Sequence, residues 1–332
     1  MENAPRPAPP PGGWSARHLL SVDDLSRDEV RHLLDLAEHY AGYLRAGAQA
    51  PRRLAGKTQI NLFFESSTRT NLSFELAGKK LGADVINVPV AASSVNKGEG
   101  LVDTAQTLAA MGAHILIVRH SEPGVQEALA RRLDCAVVNA GDGAHEHPTQ
   151  ALLDAATIRS VFGSLEGRVI AICGDVKHSR VAGSDARLFV RLGAEVRFVG
   201  PAHLMPPAND FPSVARYDSL ETGLAGADIV MALRMQFERM SCDAEREAAS
   251  ARYFEEYGLT HASLRFAKAN ARVMHPGPMN RGVEIDDALA DDPERSLILR
   301  QVFYGVAARM ACLDALLTGG IRAERDSDRN RP

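Results

Sequence analysis

The sequence has few cysteines, and they lack the spacing of a metal or redox site. They are Cys135, Cys173, Cys242 and Cys312, and no two of them form a C-x-x-C pair. Such scattering argues against a disulfide framework and against a metal site built from thiolates. We therefore expect free thiols in a reducing compartment, no metal ion and no cofactor.

Long apolar runs and an excess of positive charge are also absent. No run approaches the roughly 18 to 20 apolar residues that span a bilayer, and the proline-rich residues 4–13 lack the apolar core of a signal peptide. The net charge of −4 gives no general field for nucleic acid. We expect a soluble, cytoplasmic protein that binds neither membranes nor nucleic acid. Residues 1–16 and 321–332 are predicted to be disordered tails.

The chain does contain a regular alternation of short β-rich runs with helical patterns. A capping box, Ser26 with Glu29, opens the first helix. Strands that alternate with helices predict parallel sheets with right-handed crossovers. The predicted strands are Gln59–Phe64, Asp84–Val88, His114–Val118 and Ala136–Asn139 in a first series, and Val169–Cys173, Glu195–Val199, Ile229–Leu233 and Arg272–His275 in a second.

Two series of strands predict two Rossmann-like α/β domains, each a parallel sheet flanked by helices. The helix at about Pro148–Phe162 is the predicted hinge, because glycines then bound a break in the pattern. A C-terminal helix is expected to return to the first domain. The predicted domains are 17–149 with the helix at about 300–320, and 150–299.

The strongest candidate for an anion site is residues 63–75, where a strand ends and hydroxyl residues open a helix. A helix N-terminus offers unpaired N–H groups and the positive end of the macrodipole. Ser67, Thr68 and Thr70 add hydroxyl donors, and Arg69 adds a bidentate cation. The segment lacks the P-loop pattern. An ordinary serine N-cap beside a solvated arginine remains the alternative.

Further polar residues follow the predicted strands of the first series, and each has an ordinary alternative. Lys97, in a glycine-bounded loop, could be a surface lysine, and Arg119 with His120 could be a charged strand end. His147 and Gln150 open the hinge helix in an H-P-x-Q segment, where proline suits the first turn of any helix.

Polar residues also follow the strands of the second series. Arg180 lies in a glycine-led turn that lacks the G-x-G-x-x-G pattern. Arg234 and Gln236 are two apart, so both point the same way from an extended segment. A basic strand end near Arg239 is the alternative. Residues 275–282 form a Gly- and Pro-rich turn that fixes backbone carbonyls.

Together these segments resemble the aspartate and ornithine carbamoyltransferases. Residues 67–70 and 73–75 are similar to the family's carbamoyl-phosphate signature, and the other segments follow in the family's order, from about residue 17 to 320. The turn at residue 275 reads H-P-G-P, as in the aspartate enzymes, whereas the ornithine enzymes have H-C-L-P. The resemblance implies that carbamoyl phosphate and L-aspartate give N-carbamoyl-L-aspartate and phosphate, the committed step of de novo pyrimidine biosynthesis.

The resemblance also implies a role for each candidate residue. Carbamoyl phosphate would be bound by Ser67, Thr68, Arg69, Thr70, Arg119, His147, Gln150, Gly277 and Pro278. Aspartate would be bound by Lys97, Arg180, Arg234 and Gln236. The implied catalytic residues are Arg69, Thr70, Lys97, Arg119 and His147. Ser93 and Lys97 would reach a neighbouring subunit's site, which makes a homotrimer obligatory. Glu65 would pair with Arg180, Arg239 or both when the domains close.

The implied mechanism needs neither a metal nor a covalent intermediate. The uncharged amine of aspartate attacks the carbonyl carbon, and Thr70, Arg119 and His147 stabilise the oxyanion. Phosphate leaves, and its oxygens can take the amine proton, so no residue is assigned as general base. Closure about the hinge would bring the two substrates together and exclude water.

One departure and two rival interpretations accompany the resemblance. Asn71 stands where the family often has a second arginine, which puts that arginine's role at a subunit contact in doubt. An ornithine enzyme is disfavoured, since two arginines and a glutamine suit a dicarboxylate and no D-x-x-x-S-M-G loop is present. A catalytically dead scaffold would usually have lost motif residues. The trimer could be free, or assembled with regulatory or dihydroorotase-like chains.

Overall fold

The computed structural model describes residues 5–89, 100–235 and 243–319, with the main chain alone over 243–248. The strands are β1 Thr58–Phe63, β2 Asp84–Val88, β3 Ile115–His120, β4 Ala136–Asp142, β5 Val169–Cys173, β6 Glu195–Val199, β7 Ala215–Tyr217, β8 Ile229–Ala232 and β9 Arg272–Met274. The helices are α1 Arg27–Arg45, α2 Thr68–Lys80, α3 Leu101–Ala110, α4 Val125–Ala130, α5 Pro148–Phe162, α6 Arg180–Arg191, α7 Leu220–Leu224, α8 Asp243–Tyr257, α9 His261–Leu264, α10 Asp287–Ala290 and α11 Ile298–Thr318.

The chain forms two compact units, each built around one sheet. The first unit comprises Met1–Ala156 and Val302–Pro332, and the second comprises Thr157–Gln301. Helix α5 begins in the first unit and ends in the second, and α11 leads back into the first. All strand pairs in both sheets are parallel, so the predicted α/β class with two parallel sheets is confirmed.

In the first unit the strand order is β2-β1-β3-β4. From β1 the chain moves to one side to form β2, then crosses back to form β3 on the other side of β1. The direction of winding therefore reverses between β1 and β3. At such a reversal the loops beyond the carboxyl ends separate and leave a crevice, which is where open α/β sheets bind ligands.

The second unit repeats this arrangement with five strands in the order β7-β6-β5-β8-β9. The chain runs from β5 outward through β6 to β7 and then returns to β8 on the other side of β5. The reversal, and with it the expected ligand crevice, lies between β5 and β8.

The predicted strands are all present, with most ends correct to within two residues. The sequence did not predict β7, because three residues, Ala-Arg-Tyr, are too short to show a β-rich run. Among the described residues, no helix combines the length and the apolarity needed to cross a bilayer.

The prediction of a disordered N-terminal tail is wrong for residues 5–16. Trp14 is buried, the Ser15 hydroxyl donates to Glu29 over 2.8 Å, and Arg6 pairs with the buried Asp314 on α11 over 3.0 Å. The proline-rich composition suggested disorder, but a few side chains bury enough surface to order the segment. Residues 1–4 and the predicted C-terminal tail, 321–332, lie outside the described residues.

Asp314 is the centre of a buried polar cluster in the first unit. Its carboxylate accepts hydrogen bonds from Arg6, Tyr40, Arg53 and Thr318, at 2.7 to 3.2 Å. Burial alone would raise the pKa of Asp314, but these donors outweigh it and the net pKa is lowered. A carboxyl whose folded pKa lies below its unfolded pKa stabilises the fold at neutral pH and loses that contribution as the pH falls.

We expect Asp314→Asn to lower the free energy of unfolding at neutral pH by roughly 3 to 5 kcal/mol, since it leaves buried donors uncompensated. The difference from wild type should shrink below about pH 4, where the carboxyl of the unfolded chain takes up a proton. Urea titration followed by fluorescence of Trp14, the one tryptophan, measures this. Asp134→Asn is the matched control, because the side chain of Asp134 is 88% exposed. Equal losses in the two variants would contradict the assignment.

Candidate active site

The first candidate segment forms the N-terminus of α2 directly after β1. Ser67 is the N-cap residue, but its side chain makes no capping hydrogen bond to the helix. Its hydroxyl instead donates to the buried hydroxyl of Thr70 over 2.9 Å. Partial burial lowers the pKa of Arg69, whose guanidinium still stays charged at neutral pH. The first turn thus offers an anion backbone N–H groups, hydroxyls and a cation.

Arg119 lies next to this segment, across the reversal between β1 and β3. Its Cα is in register with Phe63, the last residue of β1. The pairing of β3 with β4 is irregular at this point, and the Arg119 Nη1 donates to the carbonyl of Ala140 over 3.1 Å. Irregularities of this kind commonly re-aim a side chain beside a site. The other end of the guanidinium, Nη2, donates to Glu65 Oε1 over 2.6 Å.

His147 and Gln150 follow β4 and open α5, and both are buried. The turn before them is fixed by Asp142, whose carboxylate accepts the Glu146 N–H over 2.6 Å and whose own N–H donates to the Glu146 carbonyl over 3.1 Å. The Gln150 side-chain Nε2 donates to Asp154 over 3.0 Å. The three strands β1, β3 and β4 therefore all deliver polar residues to the same edge of the sheet.

In the second unit two arginines flank the reversal between β5 and β8. Arg180 is the first residue of α6, and Arg234 follows β8. The main chain turns sharply after β5 and passes close to the end of β8. Gly174 has φ +126°, and a Cβ at this position would lie 3.0 Å from the carbonyl oxygen of Leu233. Only glycine fits without strain, so this residue sets the spacing between the two polar segments.

The turn that follows β9 is fixed by a buried histidine. His275 Nδ1 accepts the Gly277 N–H over 2.8 Å, so its Nε2 carries the proton and donates to Glu284 over 3.1 Å. The His275 N–H donates to the side chain of Gln301 over 2.9 Å. Asn280 joins the turn to the Arg234 segment, because its amide donates to the Met235 carbonyl over 3.3 Å.

Comparisons with known proteins bear on these two ligand crevices. A family model described as the carbamoyl-P binding domain of aspartate/ornithine carbamoyltransferase matches residues 17–160, and the model of the Asp/Orn binding domain matches residues 166–316. The chain belongs to the aspartate/ornithine carbamoyltransferase family. Each reversal lies within one of these matched regions.

Individual relatives agree with the family. The aspartate carbamoyltransferase catalytic subunit of Granulibacter bethesdensis is 57% identical over 302 residues, covering 90% of this chain and 94% of its own. That of Cereibacter sphaeroides is 54% identical, covering 94% and 97%. The structure of Trypanosoma cruzi aspartate transcarbamoylase with N-(phosphonacetyl)-L-aspartic acid is 33% identical and superposes with a TM-score of 0.82, covering 92% of this chain and 97% of that one.

Several residues that the family resemblance pointed to lie outside the described residues. They are Ser93, Lys97, Gln236 and Arg239. The remaining candidates lie at the carboxyl ends of β1, β3, β4, β5, β8 and β9, as the segment positions predicted. Their roles in this carbamoyltransferase remain predictions, as does pairing of Glu65 with Arg180 or Arg239.

Sequence reasoning missed the residues that hold the candidates in place. Asp154 lies four residues after Gln150 on one helix, a spacing that could have revealed it. Glu284 and Asn280 gave no such signal, because Glu284 lies nine residues after its partner His275 and Asn280 contacts Met235 from 45 residues away.

Within residues 5–89, 100–235 and 249–319, one group of side chains has the distances needed to hold a metal ion. Ligand atoms of Glu127, Asp142 and His145 lie within 4.8 Å of one another. His145 and Asp142 already pair with each other over 3.3 Å. Carbamoyl transfer from a phosphate needs no metal, so we assign no ion to this group.

The Glu65–Arg119 pair carries a prediction about ligand affinity. A ligand that binds the Nη2 end of Arg119 displaces the Glu65 carboxylate from it. Glu65→Gln should therefore tighten the binding of carbamoyl phosphate by about fivefold, or ~1 kcal/mol for a partly exposed ion pair. Calorimetric titration without aspartate measures the change. Glu75→Gln is the control, since Glu75 is partly exposed, like Glu65, and pairs with Lys79 instead of Arg119. Weaker binding in the Glu65 variant would contradict the competition.

Proposed function

We propose that this chain transfers the carbamoyl group of carbamoyl phosphate to the α-amino group of L-aspartate, with phosphate as the second product. The observation that carries the proposal is the placement of an anion-binding helix end and Arg119 at one reversal and of two arginines at the other. The relatives named above are aspartate carbamoyltransferase catalytic subunits. The reaction commits carbamoyl groups to pyrimidine biosynthesis.

The first unit binds carbamoyl phosphate. The N–H groups at the start of α2, the hydroxyls of Ser67 and Thr68, and Arg69 hold the phosphate, because each offers a donor and the helix end adds a positive field. Thr70, Arg119 and His147 donate to the carbonyl oxygen as it becomes an oxyanion. Donors that are fixed before reaction stabilise this charge without reorganising.

The second unit binds L-aspartate through its two carboxylates. Arg180 and Arg234 present planar guanidinium groups, which suit carboxylates in bidentate geometry. Gln236 and Lys97 also contact the aspartate in this proposal, whereas the Gly277–Pro278 turn contacts carbamoyl phosphate. The uncharged amine attacks the carbamoyl carbon, the bond to the phosphate oxygen breaks, and a phosphate oxygen takes the amine proton. No metal and no covalent enzyme intermediate take part.

The active form is a homotrimer in which Ser93 and Lys97 complete a neighbouring subunit's site. Support comes from exposed apolar side chains on α2 and on β2, the strand that precedes residues 93–97 in the sequence. Leu72 and Leu76, one turn apart on α2, are 51% and 47% exposed, and Ile86 on the edge strand β2 is 49% exposed. Exposed apolar groups on one element and its neighbour indicate a protein contact, and a second copy of this chain is the partner that the shared site requires.

The reaction takes place in the cytoplasm. The support is the state of the described cysteines, Cys135, Cys173 and Cys312, which are buried free thiols. Thiols persist where the compartment is reducing.

The decisive experiment compares amino-acid acceptors. With carbamoyl phosphate as donor, we expect carbamoylation of L-aspartate and turnover of L-ornithine lower by at least about 10⁴-fold, because ornithine would place a cation against two arginines. Mass spectrometry of both products measures this. N-(phosphonacetyl)-L-aspartic acid should bind more tightly than either substrate, since it carries the anionic groups of both. Comparable turnover of ornithine would overturn the proposal.

A further inference from the structure

The side chain of Gln150 is held in one orientation by a buried carboxylate. A glutamine amide has a donor end and an acceptor end, and only its contacts decide which way it faces. Asp154 is fully buried and lies one turn along α5, and Gln150 Nε2 donates to its Oδ2 over 3.0 Å. An ionised carboxylate can only accept hydrogen bonds, so the NH₂ end must face Asp154. The amide oxygen is then the end that a ligand meets.

The charge on Asp154 has a buried counterpart on α11. Arg309 is buried, its guanidinium lies 4.9 Å from the centre of the Phe74 ring on α2, and it donates to the Gly305 carbonyl over 3.1 Å. Burial lowers the pKa of Arg309 to about 10, against the opposing influences of Cys312 and Asp154. Arg309 therefore stays charged at neutral pH and compensates the carboxylate. Arg309 thus interacts with both α2, through Phe74, and α5, through Asp154. These helices carry the phosphate segment and Gln150.

We propose that Asp154 is a positioning residue that fixes the Gln150 amide with its oxygen toward the substrate and so selects a donor with an N–H group. This inference rests on the proposed function. Carbamoyl phosphate has an NH₂ group that can donate to Gln150 Oε1. Acetyl phosphate has a methyl group of similar size in the same place, which leaves the oxygen unpaired. An unpaired acceptor in a buried site lowers the affinity by about ten- to a hundredfold.

The test measures kcat/KM for carbamoyl phosphate and for acetyl phosphate, whose transfer to L-aspartate gives N-acetyl-L-aspartate and phosphate. Acetyl phosphate is also titrated as a competitor of carbamoyl phosphate. In Asp154→Asn the new side-chain amide can either donate or accept a hydrogen bond, so the Gln150 amide can adopt either of its two flipped orientations. We expect the preference for carbamoyl phosphate to fall by about tenfold, chiefly through slower carbamoyl transfer. A purely structural role would slow both donors equally and leave the preference unchanged.

Two further variants keep the test decisive if Asp154→Asn folds poorly. Gln150→Leu should lose the preference to a similar extent, and adding Asp154→Asn to it should change the preference no further, because the two residues act as one unit. Asp314→Asn is the matched control, a buried carboxylate in the same unit that should leave the preference unchanged. If folded Asp154→Asn keeps the preference, or if Gln150→Leu keeps it, the positioning role is wrong. A wild-type protein that transfers neither group would overturn the proposed function and this inference together.

Discussion

Trimers of Arg69→Ala and trimers of Lys97→Ala are each expected to be nearly inactive, and mixing them should restore activity. If a site takes Arg69 from one subunit and Lys97 from its neighbour, every mixed trimer contains one interface at which both residues are intact. Equal mixing of freely exchanging subunits then gives about a quarter of the wild-type activity, the share of repaired interfaces in a cyclic trimer. Activity after dissociation and reassembly, with exchange verified by mass spectrometry, measures this.

The control for this experiment is a pair of defects in residues from the same subunit. Arg69 lies in the first turn of α2, directly after β1, and Arg119 lies on β3, which pairs with β1. Mixing Arg69→Ala with Arg119→Gln therefore repairs no site, whatever the trimer composition, and activity should stay at background. Recovery in this control, or no recovery between Arg69→Ala and Lys97→Ala despite proven exchange, would show that the sites are not shared.

The fold was largely predictable because its strands are local and strongly apolar. A strand buried on both faces is a continuous apolar run with sharp ends, and Val169–Cys173 was predicted with the ends that the structure has. Where order depends on distant partners, the sequence failed. The N-terminal segment is held by the pairing of Arg6 with Asp314 on α11 and by the contact of the Trp14 ring with His32 on α1, and no local sequence pattern indicates either contact.

Candidate residues could be found from the sequence because parallel sheets bring strand ends to one edge. Their side-chain partners are a different matter. The pairing of Arg119 with Glu65 depends on β1 and β3 being neighbours, which the chain order alone does not give. The contact of Arg119 with Ala140 depends on an irregularity in the pairing of β3 with β4. The local sequence therefore predicts where the polar residues lie at the strand ends, whereas the order of strands in the sheet determines which side chains they contact in the absence of substrate.

Arg119→Gln is expected to lower kcat by about 10² to 10³-fold, the usual effect of removing one fixed donor to a developing oxyanion. Arg119→Lys should be intermediate, because an ammonium group keeps the charge but lacks the planar fork that reaches both Glu65 and the Ala140 carbonyl. Steady-state kinetics with saturating substrates measures both. Arg17→Gln is the matched control, since Arg17 also contacts one carbonyl and one carboxylate, those of Leu133 and Asp134. These two residues precede β4, whereas the crevice lies beyond the carboxyl ends of the strands.

A second comparison decides why activity is lost in Arg119→Gln. The substitution removes a group that we propose contacts substrate, but it also leaves Glu65 without the partner it has in the structure. The double variant Glu65→Gln with Arg119→Gln removes that stranded charge. If repulsion between Glu65 and the phosphate caused the defect, the double variant would regain most of the activity. We expect it to stay within about threefold of Arg119→Gln, since the donor to the oxyanion is still missing and the two effects act on different steps. Full recovery would mean that Arg119 serves only to neutralise Glu65.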